Sequence, residues 1–144
     1  MASKKVQVEV KQGAGFRTEC RSGKHLVVID QSPPAGGDEG PSPLEIQLMA
    51  LGGCIAAIGR IIAGQRRLPL RGMEISLEGE LDPARLLGKE TKERAGFSAI
   101  TARVKIDADI PPSEQAKFLH DIDERCPVSD NLQNATPINI VLAQ

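Results

Sequence analysis

The stretch from Leu44 to Gly64, LEIQLMALGGCIAAIGRIIAG, decides how this chain is read. Leu44, Leu48, Leu51, Ile55, Ile58 and Ile62 recur at alternating spacings of four and three, which is the stripe of an α-helix. After Cys54 the segment is apolar on nearly every side except at Arg60, and this predicts a helix buried all round in the middle of the fold. Glu45, Gln47, Arg60 and four glycines argue against a membrane span. Each glycine weakens a helix by ~1 kcal/mol relative to alanine, so Gly52-Gly53 is a point where the helix could kink or restart. A restart would put Cys54 in a first turn, where unpaired N–H groups favour the thiolate. The plainer reading makes Cys54 a small apolar filler beside glycines.

Toward the N-terminus the period changes to two. Val6, Val8 and Val10 alternate with Gln7, Glu9 and Lys11, and two further strands, Phe16 to Arg21 and His25 to Asp30, meet at the turn pair Ser22-Gly23. These predict a three-stranded antiparallel meander. Gln31 to Pro43, with four prolines and three glycines, is a loop long enough for a functional role or a lid. Toward the C-terminus Met73, Ile75 and Leu77, and then Ala102, Val104, Ile106 and Ala108, mark two amphipathic strands around a charged segment, Asp82 to Ala95. That segment reads as a loop or a short exposed helix. A helix follows Pro111-Pro112, with Ser113 a candidate N-cap and Leu119, Ile122 and Cys126 on one face. Pro127 ends it and Cys126 would cap a new short helix reaching about Gln133, again favouring thiolate. The alternative for Cys126 is a core contact one turn after Ile122. Ile138, Ile140 and Leu142 predict a closing strand.

The totals narrow the function. A chain of 144 residues, 40% hydrophobic and 26% charged, has the makings of one globular domain, residues 1–144. A net charge of -1, three Phe and no Tyr or Trp offer neither a positive field nor stacking platforms, so nucleic acid is not an expected partner. Met1 to Val10 has no continuous apolar stretch of the secretory kind, and three cysteines do not form a secreted disulfide framework; the expected place is the cytoplasm, with redox or nucleophilic thiols. His25 and His120 lack metal-ligand spacing with the cysteines, nothing like an oxyanion-hole motif accompanies His120 and Cys126, and the Asp38 to Pro43 loop lacks the ending of a phosphate cradle. No metal or cofactor is expected. Cys20 shares a strand face with Phe16 and Thr18 and reads as packing.

Gly37-Asp38-Glu39-Gly40-Pro41-Ser42-Pro43-Leu44-Glu45, then Ala50-Leu51-Gly52-Gly53-Cys54, and 72 residues after that cysteine Glu124-Arg125-Cys126-Pro127-Val128-Ser129-Asp130-Asn131-Leu132, resemble the OsmC/Ohr proteins. The resemblance covers nearly the whole element order. It implies an α+β fold of antiparallel sheets around a buried central helix, in an intertwined homodimer with sites at the subunit interface. It also implies reduction of organic hydroperoxides, with Cys54 as peroxidatic and Cys126 as resolving cysteine, a disulfide between them, and a dithiol such as dihydrolipoamide as reductant. Ohr-type chains add a glutamate near the start of the central helix and an arginine from the meander. The residues nearest those places are Glu45, one position later than the family pattern, and Arg17, with Arg21 as the other arginine. On a straight helix Glu45 and Cys54 point in opposite directions, so they would meet only through a break at Gly52-Gly53 or across the dimer. A first-turn acid stabilised by the helix dipole and two solvated strand arginines are the structural alternatives. The competing function is an OsmC-like stress or small-molecule-binding protein with little peroxidase activity.

Overall fold

The computed structural model describes residues 1–144 and divides into two units, Met1–Gln47 and Leu48–Gln144. In the first, β1 (Glu9–Gln12), β2 (Thr18–Ser22) and β3 (His25–Ile29) form an antiparallel sheet in sequence order. Ser22 pairs with His25 across a two-residue turn, and Gly23 takes the left-handed φ of 56° that such a turn needs at its first position. β1 starts later than the valine alternation predicts, and Val6 and Val8 lie outside the sheet, exposed.

The loop after β3 is pinned rather than free. Asp30, buried at 1% exposure, accepts hydrogen bonds from the amides of Gln31 (2.8 Å) and Glu39 (3.1 Å). Those amides hold its carboxyl below the usual range, outweighing the cost of burial. The Asp30 amide in turn donates to the Pro41 carbonyl at 3.1 Å. Glycine is required at Gly40, because a β-carbon there would run into the Val28 carbonyl.

The central helix α1 (Pro43–Arg66) runs without interruption through Gly52 and Gly53, so the predicted restart does not occur. Cys54 therefore sits in mid-helix. In the second unit α1 is joined by β4 (Leu70–Glu80) and β5 (Ala99–Ala108), an antiparallel pair, and by α2 (Pro112–Arg125) and α3 (Pro127–Gln133). The alternating faces of the two strands are as predicted, with Met73, Ile75, Leu77, Ala102, Val104 and Ile106 packed against a core of Leu51, Ile55, Ile62, Ala63, Leu70, Phe118, Ile122 and Cys126. Asp82 to Ala95 forms turns and no helix. Pro111, not Ser113, occupies the N-cap of α2, since extended backbone before Pro112 is what a proline at the first helical position imposes.

Two predictions fail here for one physical reason. α1 is apolar all round but buried on one face only, leaving Met49 (57%) and Ile61 (47%) exposed. The predicted closing strand is absent: residues 135–144 carry no regular structure, and Ile138, Ile140, Val141 and Leu142 are all at least 80% exposed. Both patterns are apolar, and this chain alone leaves them uncovered. By length and composition α1 also passes for a membrane-crossing helix, as an apolar core helix does.

Candidate thiol site

Small residues on α1 leave room for side chains of β4 and α2. A β-carbon at Gly59 would lie 3.2 Å from Ile122 Cδ1, and one at Gly52 would lie 2.9 Å from Leu77 Cδ1 on β4. Arg66 pairs with Asp121 (2.7 Å) and Arg125 donates to Gln65 Oε1 (2.9 Å). Cys126, at the end of α2, lies beside Cys54 on α1. The Cys126 S–H donates to Cys54 Sγ at 2.8 Å. Closing to a disulfide length would need a movement of about 0.8 Å. Both thiols are free, as is Cys20; Cys126 is buried and Cys54 partly exposed.

Pro127 stops α2 because it lacks the N–H to continue the ladder, and it opens α3. Cys126 is the shared residue. Its amide donates to the Asp123 carbonyl (3.3 Å), and its sulfur caps α3 by accepting the Ser129 amide (3.4 Å). The cap geometry is the one predicted, but the effect on the thiol is opposite. Burial pushes the Cys126 thiol up, the bond to Cys54 adds to this, and the amides of Ser129 and Val128 pull back less.

Glu45 and Arg17 are both engaged inside the first unit. Glu45 completes a capping box: its carboxylate accepts the Ser42 amide at 2.7 Å, and its amide donates to Ser42 Oγ at 3.3 Å. The Ser42 amide, then the Ser42 hydroxyl, hold the Glu45 carboxyl low. The pattern Ser-x-x-Glu at positions 42–45 announces this box, a signal that reading Glu45 as a first-turn acid passes over. With α1 unbroken, the break that would bring Glu45 round to Cys54 is absent. Arg17 pairs with Glu19 (3.1 Å) and Glu39 (3.4 Å), and Arg21 with Glu19 (3.4 Å).

Sequence reasoning missed a polar cluster behind Cys126. Ser129 Oγ donates to Asp123 Oδ1 at 2.5 Å, and Gln133 Nε2 donates to both Ser129 Oγ (2.7 Å) and Asp123 Oδ1 (3.2 Å). The cluster lines a cavity of about 410 Å³ whose apolar wall includes Leu51, Ile55 and Ile100. No group of His, Cys, Asp and Glu side chains is arranged to hold a metal ion.

An α+β chain with two antiparallel sheets and a long central helix defines a class of fold. The family described as OsmC-like protein matches residues 36–141, and this chain belongs to it. Among solved structures it is similar to an OsmC-like protein from Mycoplasma pneumoniae, at 19% identity with a TM-score of 0.81 over 92% of this chain and 89% of that one. It is also similar to the organic hydroperoxide resistance protein OsmC from Legionella pneumophila, at 15% identity and a TM-score of 0.69 over 92% of each chain. An OsmC-like hydroperoxide resistance protein from Jannaschia shares 14% identity, with a TM-score of 0.55 over 94% and 89%. Identities this low speak to the fold. No curated protein matches the sequence.

Proposed function

We propose that this chain is a thiol-dependent peroxidase for organic hydroperoxides, with Cys54 as the attacking thiolate and Cys126 as the resolving cysteine. The observation that carries the reading is the 2.8 Å approach of a partly exposed sulfur to a buried one. The Cys126 S–H offers a donor to negative charge on the Cys54 sulfur. Attack on the hydroperoxide forms an S–O bond, breaks the O–O bond and releases an alcohol, leaving a sulfenic acid on Cys54. Cys126 then displaces the hydroxyl as water and forms the disulfide, which a dithiol of the dihydrolipoamide type reduces. Apolar residues flanking Cys54, Leu51, Ile55 and Ile58, favour an organic tail. Burying 100 Å² of it is worth roughly 2.5 kcal/mol, more than tenfold in preference over hydrogen peroxide.

Glu45 and Arg17 are the proposed acid and cation for the polar end of the peroxide. Their engagement with Ser42, Glu19 and Glu39 is the specific support for the second reading, an OsmC-like binding or stress protein with little turnover. The discriminating experiment compares the oxidation rate of Cys54 by cumene hydroperoxide with those of free cysteine and of Cys54 by hydrogen peroxide. A rate far above free cysteine and more than tenfold above hydrogen peroxide is expected; equality in both comparisons moves the assignment to the binding protein.

A homodimer in the cytoplasm is part of the same proposal. The half-covered α1 and the bare apolar residues Ile138, Ile140, Val141 and Leu142 are what a second copy would cover. The unfolding midpoint should then rise with protein concentration. A folded monomer in sedimentation at micromolar concentration would refute the dimer.

A further inference from the structure

We infer that Asp123 and Ser129 are positioning residues for Cys126, setting how readily its sulfur gives up a proton and leaves a disulfide. The inference rests on the thiol cycle proposed above and concerns its second half. Asp123 holds Cys126 from two sides. Its backbone carbonyl takes the Cys126 amide (3.3 Å), and its carboxylate takes the hydroxyl of Ser129, whose amide lies 3.4 Å from the Cys126 sulfur. Gln133 braces the pair by donating to both. Ser129 is itself buried at 7% exposure, so its hydroxyl has little water to turn to if Asp123 is lost.

The chemistry asks for such a brace. In resolution the Cys126 thiol loses its proton, its electron pair attacks the Cys54 sulfenic sulfur, the S–S bond forms, the S–O bond breaks, and hydroxide takes up a proton to leave as water. In reduction a dithiol thiolate attacks the more accessible Cys54 sulfur, the S–S bond breaks, and Cys126 leaves as thiolate. The second thiol of the reductant then closes the reductant's own disulfide, and the protons end on Cys54 and Cys126. Negative charge passes through the Cys126 sulfur in both directions, in a site where burial opposes it. The Ser129 amide is the donor aimed at that charge, and the Asp123 carboxylate aims the donor.

Two measurements test this. With one equivalent of cumene hydroperoxide, quenched with N-ethylmaleimide and read by mass, disulfide formation should slow roughly three- to tenfold in Ser129→Ala and Asp123→Ala, the size of one lost hydrogen bond. Ser129→Thr and Asp123→Asn, which keep a hydroxyl and an acceptor, should restore it. The second measurement needs no peroxide. The chain has no Tyr or Trp, so thiolate absorbance near 240 nm is clean in a Cys20→Ser, Cys54→Ser background. There Ser129→Ala should move the Cys126 titration midpoint up by roughly half to one pH unit, the same fold-change. Equal rates and equal midpoints in Ser129→Ala and the parent, with helix content and melting retained, overturn the inference. So does an Asp123→Asn that behaves as Asp123→Ala, which would make charge and not aim the agent. If cumene hydroperoxide leaves the parental Cys54 unoxidised, the peroxidase reading falls and the titration alone decides the roles of Asp123 and Ser129.

Discussion

At the start of α1 the Ser42 hydroxyl receives the Glu45 amide while the Glu45 carboxylate receives the Ser42 amide; at the start of α3 the Cys126 sulfur receives the Ser129 amide while the Ser129 side chain turns away to Asp123. Both ends place a side-chain acceptor on the amide three residues on, which is the ordinary way to satisfy an orphan donor. The first closes on itself. The second leaves its acceptor bonded also to Cys54 and ties its third residue back into the preceding helix. A cap that is only structural exhausts its own groups. A cap built on sulfur, at the junction of two helices, keeps one atom in chemical contact with a neighbour.

The largest effect that could break this comparison is at Cys126. A serine there can still cap α3, since serine is among the preferred N-cap residues, so Cys126→Ser should fold and melt close to the parent. It should permit one oxidation of Cys54 yet lose dithiol-supported cycling by roughly two orders of magnitude or more, as removal of a covalent participant does. Retained cycling would show that the sulfur is only a cap. Cys126→Ala removes cap and bulk together and should cost ~1 kcal/mol more than Cys126→Ser, a melting temperature lower by roughly 2–4 °C. Ser42→Ala should cost a similar ~1 kcal/mol by thermal or urea unfolding while leaving the thiol pair reactive. Glu45→Gln sharpens the contrast, because glutamine can keep the box. A fall in hydroperoxide turnover in that variant without a fall in melting temperature would give Glu45 a role in the peroxide site.

The smallest effect is in pH, and the two sites should lose stability at opposite ends. The Glu45 carboxyl is held low by the Ser42 amide, so its contribution is complete above the ordinary carboxylate value and lost as pH falls through its lower folded value. The Cys126 thiol is held high by burial, so its contribution is complete below the ordinary thiol value and lost as pH rises through its higher folded one. Amide exchange should therefore quicken at Ser42 in acid, as the Glu45 carboxylate that accepts its N–H is lost, while the Ser129 amide should stay protected in alkali, because an ionised Cys126 sulfur accepts it more strongly. An unchanged Ser42 amide in acid, or a Ser129 amide that loses protection as Cys126 ionises, would contradict the bonding described. In the same window the resolution step should speed up with rising pH into the alkaline range, because Cys126 must shed its proton.

How much of this was legible in the sequence depended on how local the cause was. The helix stripe from Leu44 to Ile62, the alternation in β4 and β5, and the stop at Pro127 are set by near neighbours and read correctly. The meeting of Cys54 and Cys126 was legible only through the resemblance, since 72 residues separate them. The exposed side of α1 and the missing strand at Ile138 to Leu142 were misread because an apolar pattern says that a segment can be buried, not that this chain holds a surface to bury it. Cys126 was misjudged in sign: its capping amides are a local feature, whereas the burial that outweighs them comes from Phe118, Ile122 and α1. Asp123 and Ser129 escaped notice because they face each other across a helix break that gives six-residue spacing no special meaning.

The uncovered run from Ile138 to Leu142 has a consequence for handling the protein. It is short, rich in β-branched residues, uncharged and free of proline, which is the description of a segment that pairs with copies of itself into fibrils. Chains in which this run stays uncovered would aggregate through it, and a single charge, Ile140→Lys, would act as a gatekeeper against it.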